Sequence, residues 1–391
     1  MQASNTSFGL VLLVWAAGLG AAMQFSKFSF LFGELGRIYP DAGASLGFLV
    51  SILSVMGIFL GLFSGVLVSR FGFKRVLING LVIGALMSML QAFFPPFWIM
   101  LLTRLIEGLS QIAIVVAAPT LIGLISAQRH HGLTMSLWGT FFGVAYAITN
   151  LVAPAIIAAA GPSGLLVAHG ALLGVMAILL ALFLPGQDRG DPAARLPALG
   201  DLPAFHIEIY RSPFLSAPAL GWVGYTLTYV SLLTLLPEQI NQADRLFVVT
   251  AMPLVSIVVS LTLGVFLLRF MSAAHLTIAA FAVSAACALL VVLKPDWSFA
   301  YLALFSAMGL VQGASYAAIP QLNPSADGQA RANGALAQMG NLGNSLGTPL
   351  LLAIFGATGF GGMMGTVVLI YLASMITHIV LERQRAEWTA K

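Results

Sequence analysis

Apolar residues in this chain gather in long runs, and the polar breaks between them are short and hold most of the charge, glycine and proline. A helix needs about 20 such residues to cross the ~30 Å hydrocarbon layer of a bilayer. The runs predict helices at approximately 8–36, 45–69, 75–94, 97–125, 133–159, 163–184, 213–236, 247–269, 275–293, 298–320, 332–356 and 362–381. The alternating ten-residue strands of a membrane barrel are not seen. One break is longer. Residues 185–212 mix prolines and glycines with Asp188, Arg189, Asp191, Arg195, Asp201, His206, Glu208 and Arg211, a linker composition. The expectation is an all-α membrane protein with twelve spans in two six-helix bundles, residues 1–184 and 213–391, joined by a cytoplasmic linker at 185–212.

Composition agrees with a lipid solvent. The chain is 59% hydrophobic and 8% charged, with a mean hydropathy of +0.98, whereas soluble domains carry roughly 25% charged residues. The net charge of +4 does not indicate nucleic acid, because the basic residues lie in short loops, not on an aromatic-studded face. With the N-terminus cytoplasmic, twelve Lys and Arg fall on the cytoplasmic side and three (Arg37, Arg245 and Lys294) on the other. That bias places both termini in the cytoplasm. Met1 to Ser7 lacks a basic region and no cleavage site follows, so the first run is expected to be a retained helix. Cys287 is the single cysteine, so no disulfide forms within the chain. Gly57, Gly61 and Gly65 share one helix face and are expected to pack; Gly139/Gly143, Gly309/Gly313 and Gly343/Gly347 repeat the spacing, which chance also produces among 40 glycines.

A loop motif ties the halves together. Residues 65–75 read Gly-Val-Leu-Val-Ser-Arg-Phe-Gly-Phe-Lys-Arg, and a degraded copy, Gly-Val-Phe-Leu-Leu-Arg-Phe, starts 199 residues later at Gly264. The first copy resembles the loop signature of the major facilitator superfamily, G-x-L-a-D-R-x-G-R-[KR], through Gly65, Leu67, Arg70, Gly72, Lys74 and Arg75. Ser69 stands where that family usually has Asp, and Phe73 replaces a basic residue. Arg104-Leu-Ile-Glu107-Gly108 is similar to the family's R-x-x-x-G segment. The fifth-helix antiporter motif is poorly met, since Ile157 and Ala158 follow Pro154 in place of glycines. The resemblance implies a two-bundle transporter whose central cavity opens alternately to each side, with Gly65, Ser69, Arg70, Gly72, Lys74 and Arg75 in conformational gating.

Charge inside hydrocarbon costs roughly 2.5–3.5 kcal/mol on insertion scales, so it is usually functional or paired. Lys27 has no charged neighbour within a turn; it either snorkels to the headgroups or faces the cavity as an anion's partner. Arg104 and Glu107 are spaced i, i+3 and form either a structural pair or a proton site at Glu107 that Arg104 senses. Glu34 lies near the outer end of the first helix. The second half offers neutral groups instead: Trp222, Tyr225, Thr226 and Tyr229, then Gln312, Ser315 and Tyr316, then Gln338, Asn341 and Asn344. Gln24 and Asn150 add polar groups to the first half. Candidate solute contacts are Lys27, Arg104, Gln24, Asn150, Tyr225, Tyr229, Gln312, Tyr316 and Asn341, with Glu107 in proton coupling.

Enzyme signals fail on context. Gly43-Ala-Ser45-Leu-Gly47 and Gly343-Asn-Ser345-Leu-Gly347 fit G-x-S-x-G without the required strand. His130-His131 lacks a metal-binding spacing, His169 and His378 read as packing residues, and no phosphate-binding loop is present. The sequence therefore predicts a non-enzymatic, monomeric secondary transporter without cofactor or metal, and the family resemblance implies a bacterial inner membrane. Its cargo is a small organic anion with an apolar portion, driven by protons. Two alternatives stay open: a proton-linked exporter of amphipathic compounds, and a non-transporting receptor or scaffold.

Overall fold

The computed structural model describes residues 5–184 and 202–389, and every element among them is helical. In chain order these are α1 (Phe8–Phe30), α2 (Phe32–Ile38), α3 (Phe48–Ser51), α4 (Val55–Phe71), α5 (Phe73–Gln91), α6 (Phe97–Ile125), α7 (His131–Gly139) and α8 (Phe141–Phe183). They continue with α9 (Leu202–Arg211), α10 (Ser216–Leu235), α11 (Arg245–Val259), α12 (Val265–Leu267), α13 (Ala273–Leu293), α14 (Ser298–Leu322) and α15 (Ala326–Thr389). Nine helical stretches among the described residues are long and apolar enough to cross a membrane. This is a multi-pass membrane protein. Contacts divide it into one unit of Met1–Ala42 with Ile52–Leu196 and another of Gly43–Ser51 with Pro197–Lys391.

Several helices differ from the sequence expectation. The first run breaks at Leu31, and the second begins as tight 3-10 turns around Pro40 and Gly43 (φ 51°) before α4 starts at Val55. α8 and α15 are each interrupted by one glycine, Gly161 (φ 66°, ψ −178°) and Gly359 (φ 73°, ψ −171°). That backbone region is essentially closed to residues with a Cβ. Part of the expected linker is ordered helix: α9 buries Ile209 against Ala219 and Ala335. The rest of the linker, residues 185–201, lies outside the described residues.

Glycine sets how near the helices approach. A Cβ on Gly108 of α6 would lie 2.2 Å from the Leu53 carbonyl oxygen, and one on Gly309 of α14 would lie 2.2 Å from that of Ser256. On α15, Gly343 and Gly347 come as near to Thr226 and Leu227 of α10, whereas Gly139 faces open space. In lipid, where apolar burial gives helices little net attraction, such approach supplies the dispersion contacts. The hydroxyls of α10 do not obstruct it. Thr226, Thr228, Ser231 and Thr234 donate to their own helix at the carbonyls of Trp222, Gly224, Leu227 and Val230.

α9 is fastened to α15 by polar contacts. Arg331 donates through both terminal nitrogens to the Glu208 carboxylate at 2.7 and 2.8 Å. Tyr210 donates to Gln338, which donates to His206. The Arg331 hydrogen bonds hold the Glu208 carboxyl below its ordinary range. A depressed carboxyl stabilises docking above the unfolded pKa of about 4.3, and the contribution disappears as pH falls through the lower folded value. Amide exchange in α9 should therefore stay slow at pH 7 and accelerate only below about pH 4; E208Q should remove this step. Gly309→Val should lower the unfolding temperature by the equivalent of roughly 1–3 kcal/mol through overpacking, while Gly174→Ala, in open space, should leave it within about 1 kcal/mol of the parent.

Candidate functional site

Lys27 does not reach toward headgroups. It lies on α1 at 1% exposure, with Arg104 and Glu107 of α6 at 0%. Its ammonium donates to Glu107 Oε1 at 2.7 Å, to Ser88 Oγ at 2.8 Å and to Gln91 Oε1 at 3.0 Å. His169 Nδ1 stands 3.1 Å away. Three donors thus face four acceptors. The other oxygen, Glu107 Oε2, accepts from Gln91 Nε2 at 2.8 Å and from the Arg104 guanidinium. Gln91 thereby closes a ring, accepting from Lys27 and donating to Glu107.

The surrounding groups orient the charges. His169 Nε2 is 3.0 Å from the Gly20 carbonyl. A carbonyl only accepts, so Nε2 carries the hydrogen and Nδ1 turns its lone pair toward Lys27. Ser88 donates to the Leu166 carbonyl at 2.8 Å. The Arg104 guanidinium carbon lies 4.1 Å from the centre of the Phe28 ring, a cation–π arrangement strengthened by loss of water. Gln24 donates to Ser110 at 2.8 Å, and α1 is fixed to α8 through Ser26–Thr149 and Ser29–Tyr146 contacts at 2.6 and 3.1 Å. Asn150 is half-buried one turn beyond Tyr146.

The second unit holds an aromatic ladder. Trp222 stacks on Tyr225 (4.6 Å, 17°) and Tyr225 on Tyr229 (4.9 Å, 24°). Tyr316 meets Trp222 edge-on at 5.0 Å, and the Tyr225 hydroxyl donates to Gln312 Oε1 at 3.3 Å. Asn341 instead donates to Ala337 of its own helix. Of the loop residues, Gly65, Ser69 and Arg70 lie in α4 and Gly72 (φ 90°) separates α4 from α5. Lys74 donates to the Ala181 and Leu184 carbonyls at the C-terminal end of α8, a placement its helix dipole favours. Arg70 and Arg75 are exposed.

The two units share a contact plan. Thr228 follows Lys27 by 201 residues, Met308 follows Glu107 by 201, and Tyr371 follows His169 by 202. These three also meet: Tyr371 Oη donates to Thr228 Oγ1 at 2.9 Å and lies 3.2 Å from Met308 Sδ. Phe305 and Tyr229, at 5.4 Å, occupy the places of Arg104 and Phe28. Gly309 meets the Ser256 carbonyl as Gly108 meets that of Leu53. The Lys27–His169 and Arg104–Phe28 contacts thus recur without charge as Thr228–Tyr371 and Phe305–Tyr229. Ser88, Gln91 and His169 are members of the centre that helix-by-helix reading missed. Ser88 and Gln91 share a face at i, i+3, the one sequence signal that groups them.

Breaking a buried ion pair by removing one partner costs about 3–5 kcal/mol, because the remaining charge is stranded. E107Q strands two cations and should destabilise by that amount. K27M leaves the Arg104–Glu107 pair and should cost less. Thermal unfolding in detergent checks the order, and a larger loss for K27M would show that Glu107 is not the hub.

Comparison with known proteins bears on the whole chain. No curated protein matches it in sequence. The crystal structure of the human organic anion transporter MFSD10 (TETRAN) is similar in fold, with a TM-score of 0.63 at 15% identity, over 94% of this chain and 98% of that one. The sequence profile of the Major Facilitator Superfamily matches residues 10–348. With that match spanning most of its length, the chain belongs to the major facilitator superfamily of membrane transporters.

Proposed function

We propose that the protein is a secondary transporter with twelve spans in two six-helix bundles, residues 1–184 and 213–391 about a cytoplasmic linker. It carries a small organic anion with an apolar portion across the inner membrane by alternating access, coupled to protons. It acts as a monomer with both termini in the cytoplasm. One observation carries this reading: Lys27, Arg104 and Glu107 are buried, mutually paired ions at positions whose counterparts in the second half, Thr228, Phe305 and Met308, carry no charge. Packing alone thus leaves the ionic centre unexplained. An ionisable cluster kept in lipid at several kcal/mol per ion supports a role in cargo or proton binding.

Lys27 and Arg104 are the anion's partners in this reading, with Gln24 and Asn150 beside them, and the centre around Glu107 couples to protons. In the second unit Tyr225, Tyr229, Gln312, Tyr316 and Asn341 contact the cargo, the stacked rings accepting its apolar part. The solved protein of similar fold is an organic anion transporter, a cargo class that suits a cationic centre. Residues 65–75 gate the change of state, with Ser69 in the place of the family's usual Asp. The centre is closed to solvent here, so helices part when cargo enters.

Benzoate, an anion with one apolar ring, and neutral benzamide are suitable probes. Proteoliposomes should exchange labelled benzoate in counterflow but not benzamide. K27Q and R104Q, made separately, should each slow the exchange roughly tenfold, the worth of ~1.4 kcal/mol. Undiminished exchange by both variants removes the anion site.

A further inference from the structure

The ionic centre holds two cations and one carboxylate, so its formal charge is +1 when all three are ionised. Buried net charge is unfavourable, and only two events cancel it: loss of a proton or arrival of an anion. Protonating Glu107 does the opposite, raising the empty centre to +2 and removing the acceptor of three donors, Lys27, Gln91 and Arg104. Arginine does not give up its proton in proteins. Lysine does, and the basic lone pair beside Lys27 is His169 Nδ1 at 3.1 Å.

Resting on the organic-anion reading above, we infer that Lys27 is the group that carries the coupled proton, and that this proton and the anionic cargo occupy the centre together. The two states of low charge are then an empty centre with a neutral Lys27 amine and a loaded centre with the Lys27 ammonium and one anion. In passing between them one Nζ–H bond breaks, its electron pair staying on nitrogen. The proton moves to His169 Nδ1, giving an imidazolium, and from there to solvent water once the centre opens; loading reverses each step. The groups facing Lys27 fit this assignment. α6 presents Arg104 and Glu107, α8 presents His169, with Tyr146 near Arg104, and α5 presents neutral Ser88 and Gln91. Glu34 and Arg37 of α2 are exposed and pair with each other. The neutral counterpart set at Thr228, Met308 and Tyr371 has no amine to alternate.

The chain has only four lysines, Lys27, Lys74, Lys294 and Lys391, which makes side-chain nitrogen NMR of the full-length protein in lipid nanodiscs direct. K27R assigns the Lys27 signal. That signal should change from ammonium to amine as pH rises through the window of roughly 5 to 9 in which buried lysines titrate. Benzoate at the alkaline end should restore the ammonium. Infrared difference spectra over the same range should show no carboxylic-acid band that E107Q removes. K27R, whose charge is fixed, should exchange benzoate with less than about twofold change across the window. A Lys27 ammonium that persists throughout, or an E107Q-sensitive carboxylic-acid band on acidification, overturns the assignment. An amine that benzoate leaves unchanged, in protein that does exchange benzoate, overturns joint occupancy. The titration involves no cargo, so its result and that of counterflow fail independently.

Discussion

Three helices of the first unit meet at one carboxylate held between two cations away from water. Glu107 receives Lys27, Gln91 and Arg104, and the helices carrying these donors, α1, α5 and α6, are thereby fixed in register. Ions in lipid survive only when every donor finds an acceptor. Ser88, Gln91 and His169 meet that demand for Lys27, and the Phe28 ring serves Arg104. Neighbouring glycines make the space. A Cβ on Gly84 would fall 2.5 Å from Ser110 Oγ and 2.9 Å from Gln24 Nε2.

The second unit works as an internal control. Tyr371 meets Thr228 as His169 meets Lys27, and Phe305 packs on Tyr229 as Arg104 does on Phe28. Both versions hold their helices together, yet only one carries the desolvation cost of charge. That comparison separates what the fold demands from what it tolerates for another purpose.

Legibility in the sequence followed distance along the chain. Long apolar helices were plain from apolar runs, and the Arg104–Glu107 pair from i, i+3 spacing, since both depend on neighbours within a few residues. The Tyr225–Tyr229 stack was legible for the same reason. Lys27 lacked any charged residue within a turn, and its partner Glu107 arrives from another helix, so two readings of its surroundings stayed open. His169 looked like a packing residue because one helical histidine carries no periodic signal. The tight turns before α4 and the docked α9 were also missed: residues 45–54 continue the apolar run of the second helix, and the polar faces of α9 read locally as loop.

The four back-bonded hydroxyls of α10 have a mechanical corollary. With their protons committed within the helix, these groups donate nothing to α15; Thr228 and Ser231 accept from Tyr371 and Thr348, and the glycine face between them makes dispersion contacts, which have no preferred direction. A surface of that kind resists separation but yields to shear. α1 has the contrary character, pinned by directional bonds to ions. Along the glycine face between α10 and α15, small sliding displacements therefore cost less than they would along α1.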